Sequence, residues 1–182
     1  MQRKEAVWMS SICIAYFSKR GETYAAGDII HLDKGNTERI AEMIQTVTGG
    51  DLFKIMPVNE YPDAYEDCKS RALYELQTNL RPKMNDYVHN MKQYDTLILG
   101  YPNWWGTMPM IVYSFLQAHA LDGKTLLPFC THEGSGFGTS LQDIQTLCPY
   151  AEIKEGIAIY GHAAEQAQKK VQTWITRSFE AQ

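Results

Sequence analysis

Three short stretches of this 182-residue chain carry side chains suited to gripping a flat ring and an anion. The first pairs Ser18 with Gly35-Asn36-Thr37, and the second is Tyr101-Pro102-Asn103-Trp104-Trp105-Gly106. The third runs Thr131-His132-Glu133-Gly134-Ser135-Gly136-Phe137-Gly138. A serine hydroxyl beside Asn36 and Thr37, with the free N–H groups that open a helix, suits a phosphate. Trp104 and Trp105, set between Pro102 and Gly106 just past an apolar run, suit a platform for a planar ring, since stacked aromatic pairs add about 0.5–1.5 kcal/mol beyond burial. Glycines at 134, 136 and 138 permit positive φ and let backbone amides approach a ligand edge. Each stretch has a plainer reading. Asn36 or Thr37 could simply cap a helix, either tryptophan could pack under the next helix, and the glycine loop could be an ordinary connector; His132 is ambiguous for the same reason.

The elements that would position these stretches are legible from periodicity. Ile12–Phe17 is a short apolar run of the kind found in a strand buried on both faces. Ile40, Ile44 and Val47 then recur at helical spacing, predicting a helix over 37–48 that Gly49-Gly50 stops. Residues 51–56 read as a second strand ended by Pro57, and 64–79 as a helix closed by Arg81-Pro82. Thr96–Tyr101 is the clearest buried strand, followed by a helix over 109–118 with proline in its first turn. A strand over 125–131, an amphipathic helix over 140–147, a strand over 153–159 and a final helix over 163–179 complete the pattern; the last should bury Ala167, Val171, Trp174 and Ile175. Five β-α alternations predict an α/β fold with right-handed crossovers and helices on both faces of a parallel sheet. Loops at the carboxyl ends of such strands converge on one edge, so the three stretches can share a pocket. The exception to this economy is Lys19–Lys34, too long for an ordinary βα connection, within which Asp28–Leu32 could form a short extra strand.

Composition narrows the classes. One domain over residues 1–182 is expected, with residues 1–10 a poorly ordered N-terminal extension. A formal net charge of -4 lacks the basic footprint that nucleic-acid binding requires. No stretch approaches the ~20 apolar residues of a membrane span. Cys13, Cys68, Cys130 and Cys148 are widely spaced and read as reduced thiols, and with no cleavable leader evident the expected location is cytoplasmic. The histidines lack metal-ligand spacing, Ser135 sits outside a nucleophile elbow, and Asp63, Glu66 and Asp67 read as a solvated helix start.

With these residues in hand, the chain resembles the flavodoxin-like FMN-binding proteins, in particular bacterial members with a Pro-x-Trp-Trp-Gly-Thr-x-Pro loop and a Thr-His-x-Gly-Ser-Gly-x-Gly loop. The likeness runs from about Ile12 to Ile175 and takes in Tyr61-Pro62, Tyr65, Ala72, Glu75, Arg81-Pro82, Leu121-Asp122-Gly123-Lys124 and Cys148-Pro149. The resemblance, rather than any periodicity, implies a doubly wound five-stranded parallel sheet in the order 2-1-3-4-5 and FMN as cofactor. It implies that Ser18, Asn36 and Thr37 hold the phosphate and that Pro102, Asn103, Trp104, Trp105 and Gly106 line one side of the isoalloxazine. His132, Glu133, Gly134 and Gly136 would meet the other edge, with His132 a candidate for tuning the flavin potential.

The expected function is that of an FMN-binding redox protein transferring electrons through the flavin. Its counterpart would be a redox partner protein or a small-molecule acceptor such as a quinone. One alternative is an NAD(P)H-dependent quinone or small-molecule reductase; another is a flavin-free binding or regulatory module on the same fold. An exposed tryptophan also suits a homodimer seam. The 19–34 insertion is the departure from the family pattern, because the family turn runs directly from the serine or threonine to the helix.

Overall fold

The computed structural model describes residues 11–180, so the expected N-terminal extension lies outside the described residues. Its central sheet is built from β1 (Ile12–Tyr16), β4 (Asp51–Lys54), β5 (Thr96–Pro102), β6 (Thr125–His132), β7 (Glu152–Ile153) and β8 (Ile157–Tyr160). The order is β4-β1-β5-β6-β7 with β8 also on β6, and every pairing is parallel. Counting β7 and β8 as one interrupted strand, this is the expected order 2-1-3-4-5.

Period-two alternation sends successive residues of the buried strands to opposite layers. From β1, Ile12, Ile14 and Tyr16 pack with Ile40 and Ile44 of α1 (Asn36–Thr48) and Val171 and Ile175 of α5 (Gln168–Glu180). Cys13 and Ala15 pack on the other side with Cys68 of α2 (Tyr65–Gln77), Ile111 and Phe115 of α3 (Met110–Ala118) and Ile144 of α4 (Ser140–Leu147).

Several boundaries differ from the sequence expectation. The strand expected over 153–159 is broken because Leu126 pairs with Ile153 while Phe129 pairs with Ile157, leaving one extra residue on the outer side. Pro128 has no N–H to continue the ladder there, and Gly156 sits so close that a Cβ would lie 2.6 Å from the Pro128 carbonyl oxygen. Pro109 is the extended residue before α3 and not part of its first turn. Residues 161–166 form a 3-10 segment, which delays α5 to Gln168, although Ala167, Val171, Trp174 and Ile175 are buried as expected. Neither Asn36 nor Thr37 is the N-cap of α1. Gly35 holds that place without a side-chain cap, and the Glu38 N–H donates instead to Ser18 Oγ at 3.1 Å.

The long 19–34 segment folds on itself. β2 (Gly21–Ala25) and β3 (Asp28–Leu32) form an antiparallel hairpin, a two-stranded sheet separate from the central one. Ala26 and Gly27 turn the chain with φ of 51° and 106°, the left-handed pair that matches the twist of a two-residue hairpin loop.

Candidate functional site

Three carboxyl-terminal loops converge beside α1 on a cavity of about 400 Å³. Ser18, Asn36, Thr37, Pro102, Asn103, Trp104, Trp105, Gly106, His132 and Glu133 all line it. Gly134 and Gly136 do not; Ser135 takes their place. The reason is local. The Gly134 N–H donates back to His132 Nδ1 at 2.9 Å, and the Gly136 carbonyl turns inward to accept from Asn103 Nδ2 at 2.8 Å.

At the α1 end, the loop after β1 is drawn tightly over the helix. A Cβ on Gly35 would lie 2.2 Å from Ser18 Oγ and 2.3 Å from the Lys19 carbonyl oxygen, so only glycine fits that approach. With Glu38 N–H taken by Ser18, the N–H groups of Asn36 and Thr37 have no partner among the described residues and stand as open donors of the first turn. Thr37 is buried, and its hydroxyl meets that of Thr131 at 2.8 Å, tying α1 to the end of β6. Lys19 cannot serve as a free cation here. Its Nζ donates to the carbonyls of Arg20, Glu22 and Asp63, each at 3.0 Å.

The second loop is a tight turn in which Trp104 and Thr107 exchange backbone hydrogen bonds around Trp105 and Gly106, whose φ values are 55° and 85°. The two tryptophans part company. Trp104 packs edge-on against Phe17 and Tyr61 at centroid distances of 5.3 and 5.0 Å, so it is partly a core residue. Trp105 is 48% exposed and is steadied by its indole N–H donating to the Lys69 carbonyl at 3.0 Å. Asn103 braces the rim: besides its bond to Gly136, its Oδ1 accepts from the Gly106 N–H at 3.1 Å. Asp143 on α4 adds a second brace by accepting from Thr107, Tyr113 and Thr139.

In the third loop, the donor Gly134 fixes the His132 tautomer with its proton on Nε2. Partial burial lowers the His132 pKa, opposed by nearby Glu133 and reinforced by Lys170 and His162, so the ring is neutral at pH 7. Glu133 acts as a knot. One oxygen accepts the His162 N–H at 2.8 Å, while the other meets His162 Nδ1 at 2.6 Å and the Ala26 N–H of the hairpin turn at 3.3 Å.

Sequence reasoning missed two walls of the cavity. The hairpin supplies Glu22, Thr23, Tyr24 and Leu32, and α2 supplies Tyr65, Cys68, Lys69 and Ala72. Glu22 joins them, because its carboxylate accepts the Tyr65 N–H at 2.9 Å and its own N–H donates to the Asp63 carbonyl at 3.0 Å. Burial pushes the Cys68 thiol up to about 11, so it lines the cavity as a small apolar group and not as a thiolate. Cys13, Cys130 and Cys148 are likewise free and buried.

The family described as Flavodoxin matches residues 11–178. A solved structure from Bacteroides eggerthii, described as a flavoprotein, is 31% identical, covers 92% of this chain and 97% of its own, and superposes with a TM-score of 0.74. Another, from Bacteroides uniformis, is 26% identical with coverage of 92% and 98% and a TM-score of 0.73. A flavoprotein in complex with FMN from Lactobacillus acidophilus is 16% identical, covers 86% of this chain and 97% of its own with a TM-score of 0.60, and so speaks to the fold alone. No curated protein matches the chain.

Proposed function

The chain belongs to the flavodoxin family, and from that premise we propose that it binds FMN in the cleft beside α1 and works as a redox protein through that cofactor. The observation that carries the reading is the convergence of Ser18, Asn36, Thr37, Pro102–Gly106, His132 and Glu133 on one cavity from three separate loops. The residues present fit the group. Two free N–H groups and the Ser18 hydroxyl at the α1 terminus suit a phosphate without a cation, in keeping with the engagement of Lys19 elsewhere. The volume lies within the ~300–1,000 Å³ usual for small-ligand sites.

Bound there, FMN supplies one- or two-electron redox chemistry at its ring system. The protein's part is to hold and tune. Ser18, Asn36 and Thr37 hold the phosphate end, and Trp105 offers a partly exposed aromatic face for the ring. His132 presents a neutral imidazole with a single N–H, so it can donate one hydrogen bond but adds no positive charge near pH 7. Glu133, bonded to His162 and Ala26, holds the rim of the cavity together where it lines the site.

One observation favours a small-molecule oxidoreductase over a carrier that docks on a partner protein: the β2–β3 hairpin adds a wall to the cavity. The test is direct. Purified protein should be yellow and release FMN on denaturation, or take it up when reconstituted; a colourless protein that cannot be reconstituted refutes the reading. Reoxidation of the reduced, FMN-loaded protein by a small quinone, compared with reoxidation by an electron-accepting protein, then separates the two roles.

A further inference from the structure

Helix α5 and the β7–β8 edge of the central sheet enclose a second groove, of about 730 Å³, which shares no lining residue with the cavity beside α1. Its exposed wall is one ridge of α5, formed by Lys169, Thr173 and Arg177 at spacings of four residues. The neighbouring ridge faces the sheet edge. There Lys170 Nζ donates to the Ala158 carbonyl and the Trp174 indole N–H to the Glu155 carbonyl, each at 2.9 Å, so two carbonyls of the edge are already occupied. A segment adding a strand here would lose those acceptors, and the groove is left to be read through side chains.

Charge sets the occupant. Among the described residues the lining carries four cations, Lys154, Lys169, Lys170 and Arg177, against one carboxylate, Glu155, on a chain whose formal net charge is -4. Lys154 is paired with Glu152 at 2.6 Å, whereas among the described residues no hydrogen bond or ion pair engages the charged ends of Lys169 and Arg177. These two stand about 12 Å apart along the helix axis. A single phosphate is too short to meet both. An extended segment advances about 3.3 Å per residue, so carboxylates about four positions apart match the pair. A nucleic-acid strand needs a basic footprint wider than one groove, and the acidic balance of the whole chain opposes it.

We infer that this groove docks an acidic, extended segment of a partner protein, its carboxylates held by Lys169 and Arg177. Because the cofactor cavity lends it no residue, the inference stands apart from the FMN reading.

Fluorescence anisotropy of the full chain with a fluorescein-labelled octaglutamate peptide at low salt tests it. Saturable binding is expected, weakened at least about tenfold in Lys169→Glu/Arg177→Glu. Lys83→Glu/Lys92→Glu, which changes the net charge equally at exposed positions outside the groove, should stay within about twofold of the wild type. Thermal melts identify a groove variant that fails to fold, and Lys169→Gln/Arg177→Gln then carries the same comparison. Inorganic phosphate should displace the peptide no better than chloride does at equal ionic strength. Equal weakening in the two charge-reversed pairs, absence of peptide binding, or displacement by phosphate beyond that of chloride overturns the inference. So does tighter, groove-dependent binding of octathymidylate or of phosphatidylserine vesicles.

Discussion

Glu75 is a carboxylate with 3% exposure in the middle of α2, and its removal should be among the more damaging single substitutions in the chain. One oxygen accepts the Tyr61 hydroxyl at 2.6 Å, the other accepts Arg71 Nε at 2.8 Å, and the Arg71 guanidinium lies 4.1 Å from the centre of the Tyr61 ring. Burial and the Glu75 carboxylate together raise the Tyr61 pKa well above its ordinary value, so the phenol remains a donor throughout the working pH range. Glu75→Ala leaves both donors without this acceptor. Breaking a buried ion pair by removing one partner costs about 3–5 kcal/mol. Arg71 retains its bonds to the Asn59 and Glu60 carbonyls, so the lower end, about 3 kcal/mol, applies. For a domain of this size that corresponds to a fall of about 6–12 °C in melting temperature. Urea denaturation of the wild type, Glu75→Ala, Arg71→Ala and the double variant measures both the cost and the coupling. The loss should reach the site as well, since Tyr61 sits edge-on to Trp104. A loss below about 1 kcal/mol, or additive single variants, would refute the reasoning, because contacting partners of one network must couple.

Other consequences are equally concrete. Gly35→Ala places a Cβ 2.3 Å from the Lys19 carbonyl and should weaken FMN binding at least about tenfold in a fluorescence titration; unchanged affinity would mean that the α1 terminus is not the phosphate site. His119 has its pKa lowered by burial, with Nε2 accepting the Val88 N–H at 3.0 Å. The unfolded chain therefore takes up this proton first, so stability is full above about pH 6.5 and declines as pH falls through that value. His119→Gln should flatten part of that decline in urea unfolding between about pH 8 and about pH 5, and an identical profile would count against it. Glu133→Ala frees the hairpin tip from the third loop, and limited trypsin digestion should cleave after Arg20 or Lys34 faster than in the wild type.

Much of the architecture was legible because it is written locally. The run at 96–101 and the spacing of Ile40 and Ile44 specify a buried strand and a one-sided helix without reference to anything distant. The three loops were legible for the same reason, as glycine, proline and tryptophan placed just past strands. What escaped detection is non-local. Asp28–Leu32 was recognisable as a strand, but its partner Gly21–Ala25 has little apolar character, and the Ala-Gly turn between them lacks the usual Asn-Gly or Asp-Gly signal. Nothing in the spacing shows that Glu133 reaches Ala26, 107 positions away, or that Asn103 closes on Gly136. Trp104 and Trp105 look alike in sequence. The left-handed turn at Trp105 and Gly106 sends one towards Phe17 and Tyr61 and leaves the other half exposed.

The convergence of the three loops on one cofactor is tested most directly by backbone amide exchange with and without FMN. Protection should appear in residues 36–38, 103–106 and 132–135 and in the hairpin at 22–24, rising together and reaching saturation at one equivalent. Protection confined to one of these segments, or reached at different FMN concentrations in different segments, would contradict a single shared site.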